Sequence, residues 1–267
     1  MKRNILFSSF LAITSMIGLS SCEKTEGALY SGPENKISFF SASTGLPMST
    51  GTINVPVGRS SSEGDLSVPV ALSATGAGYT DVFKVDGPVL FAAGEAKSYA
   101  KITYGDFSKI DPSTLSVTAV GNDVKVGLAF PVTLTIADDN ASLSNIKKIS
   151  VLASSTLEFE DLGTITMNST AGWAEEDVQA KIQKAKGVNV YKMVSPFGGG
   201  SFAFMVKSDG KTVICPNQVI AVSSQYGPVT MGNVTGTISG KTVTLNVGGY
   251  TVSAGSFGSG VEIITLP

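Results

Sequence analysis

Glu158, Glu160 and Asp161 bring three carboxylates close together in the chain, and paired carboxylates are the machinery of glycoside hydrolysis. That chemistry needs its two acids about 5 to 10 Å apart across a cleft. Alternate residues of an extended chain share a face, so Glu158 and Glu160 are expected side by side in solvent instead. Gly198-Gly199-Gly200-Ser201 has the glycine content of a phosphate loop. It lacks the following Lys-Ser/Thr and any helix to aim N–H groups at an anion, so it reads as a loop between strands. Cys215 follows Val213 and Ile214 in an apolar run, the setting of a buried structural thiol rather than a nucleophile. The chain contains no histidine. Ser-His-Asp and Cys-His catalysis and the paired-histidine zinc motif are therefore excluded, and the expectation is a protein that is not an enzyme.

Aromatic side chains are the better candidates for recognition. Trp173 stands in the loop-like Ser169-Thr-Ala-Gly-Trp, and Tyr191, Phe197, Tyr226 and Tyr250 fall near turns or strand ends. An exposed ring stacks on a sugar face or anchors a protein interface, with about 1 to 3 kcal/mol per ring at stake. Trp173, Tyr191 and Tyr226 are the candidate ligand-binding residues. The competing reading is that these rings fill the core of a domain with few other large side chains.

These residues need elements to hold them, and composition says which. The 267 residues include 30 glycines, and only 15% are charged. With many Val, Thr and Ser residues this predicts an all-β chain with many tight turns, long enough for two domains. The formal net charge is −2, without the basic face that nucleic acid requires.

Lys2 and Arg3 precede a mostly apolar run from Ile5 to Leu19 that is too short to span a bilayer, followed by Leu19-Ser20-Ser21-Cys22. That ending resembles a bacterial lipobox. The resemblance implies that residues 1–21 are a signal peptide, that cleavage precedes Cys22, and that the Cys22 thiol carries the lipid holding the protein to a membrane. Residues 22–36 then form a tether. Glu23 and Glu26 resemble the acidic signal that sends Bacteroidetes lipoproteins to the outer face of the outer membrane, which implies an outer-membrane, cell-surface location.

Period-two alternation begins at Ile37. Ile53, Val55 and Val57 form one half-buried strand, and Leu66, Val68, Val70 and Leu72 another, with Pro69 at an edge or bulge position. Asp86-Gly87 signals a hairpin between Val82–Val85 and Pro88–Phe91, and Val132, Leu134 and Ile136 form the closing strand. Six or seven short strands predict a β-sandwich over 37–140. A cluster of Asp, Asn and Ser near 138–145 marks a boundary, and a second antiparallel β-domain is expected over 145–267, with Ile149–Ala153 as its first strand. Within it, Ala174–Lys186 is ambiguous: its helix formers and charge order suit a helix, while Val178, Ala180 and Ile182 suit one face of a strand.

Val68-Pro-Val-Ala-Leu-Ser, Val89-Leu-Phe-Ala-Ala-Gly-Glu and Val132-Thr-Leu-Thr-Ile-Ala-Asp-Asp-Asn together resemble the Calx-beta type of extracellular sandwich module. In calcium-binding members carboxylates at that terminal strand hold the ion, which makes Asp138 and Asp139 the candidate calcium ligands here. The sequence departs from such members at Gly58-Arg59, where they often carry a glutamate, and Asp81 and Glu95 are scattered. The expectation is accordingly no cofactor, with Asp138-Asp139 ending a strand. Leu162-Gly-Thr-Ile-Thr, Val190-Tyr-Lys-Met-Val-Ser-Pro-Phe-Gly and the terminal Gly255–Pro267 resemble the C-terminal domain of uncharacterised Bacteroidetes surface lipoproteins. That resemblance implies an extended Val178 region. The resulting expectation is a non-catalytic, lipid-anchored surface protein of two tandem β-domains that binds a glycan or a protein partner. The alternative is a structural or accessory subunit of a surface assembly with no small ligand.

Overall fold

The computed structural model describes residues 36–48, 51–137, 146–171, 174 and 177–267. The chain is all-β, in two tandem domains. The first holds β1 (Ile37–Phe39), β2 (Ser43–Pro47), β3 (Thr52–Arg59), β4 (Leu66–Val68), β5 (Val70–Ser73) and β6 (Phe83–Val85). It continues with β7 (Val89–Phe91), β8 (Lys97–Tyr104), β9 (Thr114–Val120), β10 (Asp123–Ile136) and β11 (Lys148–Thr156). The second holds β12 (Phe159–Ser169), β13 (Asp177–Ala185), β14 (Val190–Val194), β15 (Phe202–Val206) and β16 (Thr212–Ile214). It ends with β17 (Gln218–Ser223), β18 (Gly227–Ser239), β19 (Thr242–Val252), β20 (Gly255–Ser256) and β21 (Gly260–Thr265).

The first domain is a β-sandwich. One sheet runs β1-β3-β8-β6, the other β2-β11-β10-β5 with β9 also on β10. β10 organises the second sheet because Val124, Val126, Leu128, Phe130, Val132, Leu134 and Ile136 alternate into the core along its whole length. Opposite them Ile53, Val55, Val57, Ala100 and Ile102 supply the facing layer. Phe107 stacks on Phe130 at 5.1 Å. Pro69 sits where the chain passes from β4, paired with β7, to β5, paired with β10, and only its carbonyl is used, accepting from Ala137 N–H. Arg59, at the end of β3, is buried.

Two expectations are corrected. β11, expected in the second domain, pairs antiparallel with β10 and parallel with β2, so the sandwich ends at Thr156 and not near 140. Its Ile149, Val151 and Ala153 are buried beside the inward row of β10, and a polar cluster marks a turn within a domain as readily as a boundary between two. Asp86-Gly87 does turn the chain, but β6 pairs with β8 and β7 with β4, so the turn crosses between sheets instead of closing a hairpin.

The second domain is a closed antiparallel barrel. Going round, β18, β16, β15, β14, β13, β12, β21 and β19 are each bonded to the next, and β19 bonds back to β18. Closure explains how a chain this rich in strands leaves no open sheet edge around the ring. β13 covers the segment whose helix and strand signals conflicted. It is a strand because Ala180 and Ile182 are needed on the inner wall, and burial outweighs intrinsic helix propensity. Ser239-Gly240 forms the expected β18–β19 hairpin. β16 is short, and β17 fills the gap beside it. The Gln218 amide accepts from Ala203 N–H and donates to Ala203 carbonyl, both at 2.8 Å, taking the place of a sheet ladder.

The domains share an apolar joint. Ala185, Val188, Val190, Ala203 and Met205, on the outside of the barrel, are buried in the same cluster as the sandwich core. β15 is consequently buried on both faces, with Phe202 and Phe204 turned into the barrel. Polar contacts rim this joint. Lys192, nearly buried, donates to both carboxylate oxygens of Asp123 at 3.1 Å and lies 4.8 Å from the Phe159 ring centroid. Burial pushes the Asp123 carboxyl up, but the Val124 N–H and the Lys192 ammonium more than offset it and leave it below the usual range. Ser208 N–H donates to Asp111, and Asn189 to the Ser108 carbonyl.

Candidate functional site

Strand directions bring several connections to one end of the barrel. β12 finishes there and β13 starts, β14 passes to β15 through 195–201, β17 passes to β18 through 224–226, and β19 passes through β20 to β21. Each described connection carries an aromatic ring: Phe197, Tyr226 and Phe257.

Tyr226 occupies the β17–β18 turn, where Ser223 Oγ accepts from the N–H groups of Gln225 and Tyr226. Its ring is 39% exposed and meets Phe257 edge to face at 5.7 Å. Phe257 is fixed in turn by its N–H, which donates to the Tyr250 carbonyl at 2.8 Å. Phe197 stacks on Phe202. Gly199 and Gly200 let the β14–β15 connection lie flat on β17: a Cβ on Gly200 would stand 2.7 Å from the Ile220 carbonyl. Close backbone approach, and not phosphate binding, is what these glycines serve.

Beneath this rim lies a buried polar cluster. Glu262 is fully buried on β21, and its Oε1 accepts from the Tyr250 hydroxyl and from Ser169 Oγ, the latter at 3.0 Å. Oε2 has no hydrogen-bond partner among the described residues. Burial lifts the Glu262 carboxyl to about 6, although the bonds from Tyr250 and Ser169 pull the other way. The Tyr250 phenol is also raised, first by burial and then by the neighbouring carboxylate. The cluster ties β12, β19 and β21 together with polar bonds where the rest of the inner wall is apolar. Glu262 escaped sequence reading, although a signal was present. It shares its face with Ile264 in a period-two run, which places an acid on the inner wall.

The remaining expectations fall as follows. Tyr191 is near the opposite end of the barrel from Tyr226, stacked on Phe204 at 5.6 Å with Lys184 Nζ 5.7 Å from its ring centroid. It is half-buried, and burial raises its phenol. The two tyrosines grouped from sequence are thus not one site, because Tyr191 sits on the second residue of β14 and Tyr226 in a turn past the far end of β17. Cys22, Asp138, Asp139 and Trp173 lie outside the described residues. Among the described residues no cluster of His, Cys, Asp and Glu could hold a metal ion. Glu158 and Glu160 are exposed around Lys186, at 3.5 and 3.8 Å. Cys215 is buried against the Ala203 carbonyl and the Gln218 amide, and burial pushes its thiol up to about 12.

No protein-family model and no curated protein matches the chain. Its fold is similar to that of uncharacterised Bacteroides proteins. A protein of unknown function from Bacteroides ovatus is 9% identical with a TM-score of 0.34, the match covering 85% of this chain and 89% of that one. A multidomain protein including DUF1735 from Bacteroides ovatus is 10% identical with a TM-score of 0.32, over 86% and 92%. CBD12 from CALX1.2 is 10% identical with a TM-score of 0.31, over 83% of each chain. Likeness at this level carries no functional content.

Proposed function

We propose that this is a non-catalytic, lipid-anchored surface protein whose barrel presents a recognition rim for a glycan or a protein partner. The observation that carries the reading is the Tyr226–Phe257 pair. An exposed ring is held edge-on by a second ring and a serine-braced turn, so little conformational entropy is lost when a ligand stacks on it. Binding of the intact chain to a glycan array is the test. Tyr226→Ala should weaken any hit by about fivefold, since one stacked ring contributes on the order of 1 kcal/mol. Equal binding by the variant would refute a role for the rim, and a stoichiometric protein partner without sugar affinity would instead assign an assembly subunit.

The anchor is proposed at Cys22, with the tether over 22–36 and the outer face of the outer membrane as the location. Protease added to intact cells should remove the protein. Cleavage only after lysis would place it on the inner side.

A further inference from the structure

The outer face of the β1-β3-β8 sheet carries aromatic rings that packing does not explain. On β8 the outward row is Lys97, Tyr99 and Lys101, with Ala100 and Ile102 turned into the core. Across the ladder Pro56 is paired with Tyr99 and Gly58 with Lys97, which sets these residues side by side on one face. Phe40 follows β1, and its ring rests on Gly58, where a Cβ would stand 3.3 Å from the ring. Lys97 Nζ is shared between the two rings, 5.7 Å from the Phe40 centroid and 5.3 Å from that of Tyr99. Phe40 is 60% exposed and Tyr99 50%, with Leu90 nearby on β7 at 64%. Phe40 and Tyr99 are brought together around one lysine, and contiguous exposed apolar surface marks an interaction site.

Charge narrows the ligand. The whole chain has a formal net charge of −2, yet this sheet face presents Lys84, Lys97 and Lys101. Lys101 is paired with Asp86 at 2.7 Å, and Lys84 Nζ donates to the Thr80 carbonyl, which leaves Lys97 as the cation seated between the rings. The centre of a protein–protein interface is depleted of charged residues. Here an ammonium separates the rings, giving an alternation of apolar and cationic spots. A sugar chain with a C–H face and an anion on its residues matches that alternation.

We propose that this face is a binding platform for an acidic polysaccharide, whose pyranose C–H groups pack against the exposed parts of Phe40 and Tyr99 while a sugar carboxylate or sulfate pairs with Lys97. The site is separate from the barrel rim and gives the sandwich a role beyond spacing. The test is affinity electrophoresis of the intact chain through gels holding polygalacturonate, dextran sulfate or neutral dextran. Retardation by an acidic polymer and not by dextran is expected, and which acidic polymer retards separates carboxylate from sulfate recognition. Phe40→Ala/Tyr99→Ala should weaken retardation by about tenfold or more. Lys97→Gln should weaken it as well. No retardation by either acidic polymer, equal retardation by dextran, or full binding by a natively folded double variant or by Lys97→Gln overturns the proposal.

Discussion

Arg59→Met is expected to destabilise the sandwich by about 3 to 5 kcal/mol, a cost set by what the guanidinium holds together. Arg59 is only 2% exposed, and none of its hydrogen bonds goes to a carboxylate. Instead Nε donates to the Glu95 carbonyl at 2.7 Å, and Nη2 donates to the carbonyls of Gly64 and Ala92, both at 2.9 Å, and of Ser62 at 3.2 Å. Nη1 reaches Glu63 carbonyl at 3.5 Å, and the guanidinium carbon lies 5.2 Å from the Phe91 ring centroid. The loops after β3 and β7 are therefore folded around a side chain that acts as their internal cation. Methionine fills the volume but takes their donor from the Glu95 and Gly64 carbonyls, while those of Ser62 and Ala92 keep the N–H groups of Gly94 and Glu95. Lysine keeps the charge yet cannot reproduce the planar fork, so Arg59→Lys should fall between. Equilibrium denaturation measures both, and a loss below about 1 kcal/mol for Arg59→Met would mean that the loops hold themselves.

The second large effect is a pH dependence centred on Glu262. Its carboxyl is lifted from 4.5 to about 6 in the folded protein. The folded state thus holds this proton more tightly than the unfolded chain does. Stability from this group is full below about pH 4.5, falls as pH rises through 6, and is constant above that. The difference amounts to about 2 kcal/mol. Asp106 and Asp123 are shifted downward and contribute in the opposite sense, losing stability as pH falls, so the raw profile mixes both trends. Glu262→Gln isolates the group. It keeps an acceptor for Tyr250 and Ser169 and removes the ionisation, so its stability relative to the parent should climb between pH 4.5 and 6.5 and then level off. A difference between the two proteins that does not change with pH would contradict this.

Much of the fold was legible because alternation is a direct record of burial. The inward rows of β3 and β10 stand out as Val, Ile, Leu and Phe at every second position, and Ser239-Gly240 announces its hairpin through local turn chemistry alone. Pairing partners are not local. Nothing in Lys148–Thr156 says that it will lie beside both β10 and β2, and nothing in Asp86-Gly87 says whether the turn stays within a sheet. Barrel closure was hidden for the same reason, since it rests on β12 meeting β21 from the far end of the chain. Among candidate site residues, Tyr226 does lie in a turn, the setting its sequence surroundings suggested. Phe40 was missed because it falls just outside β1, and its significance comes from Gly58, Lys97 and Tyr99, which reach it only through the sheet.

The shared joint has a consequence for how the molecule assembles. β2 waits for β11, and β12 waits for β21, each across roughly a hundred residues, which makes both closures slow compared with hairpin formation. The sandwich is complete once β11 has been made, while the barrel needs the last strand of the chain. β14 and β15 therefore emerge next to a finished surface that already offers an apolar bed for Val190, Ala203 and Met205. A barrel synthesised alone would carry that stripe uncovered on its outside, an invitation to self-association.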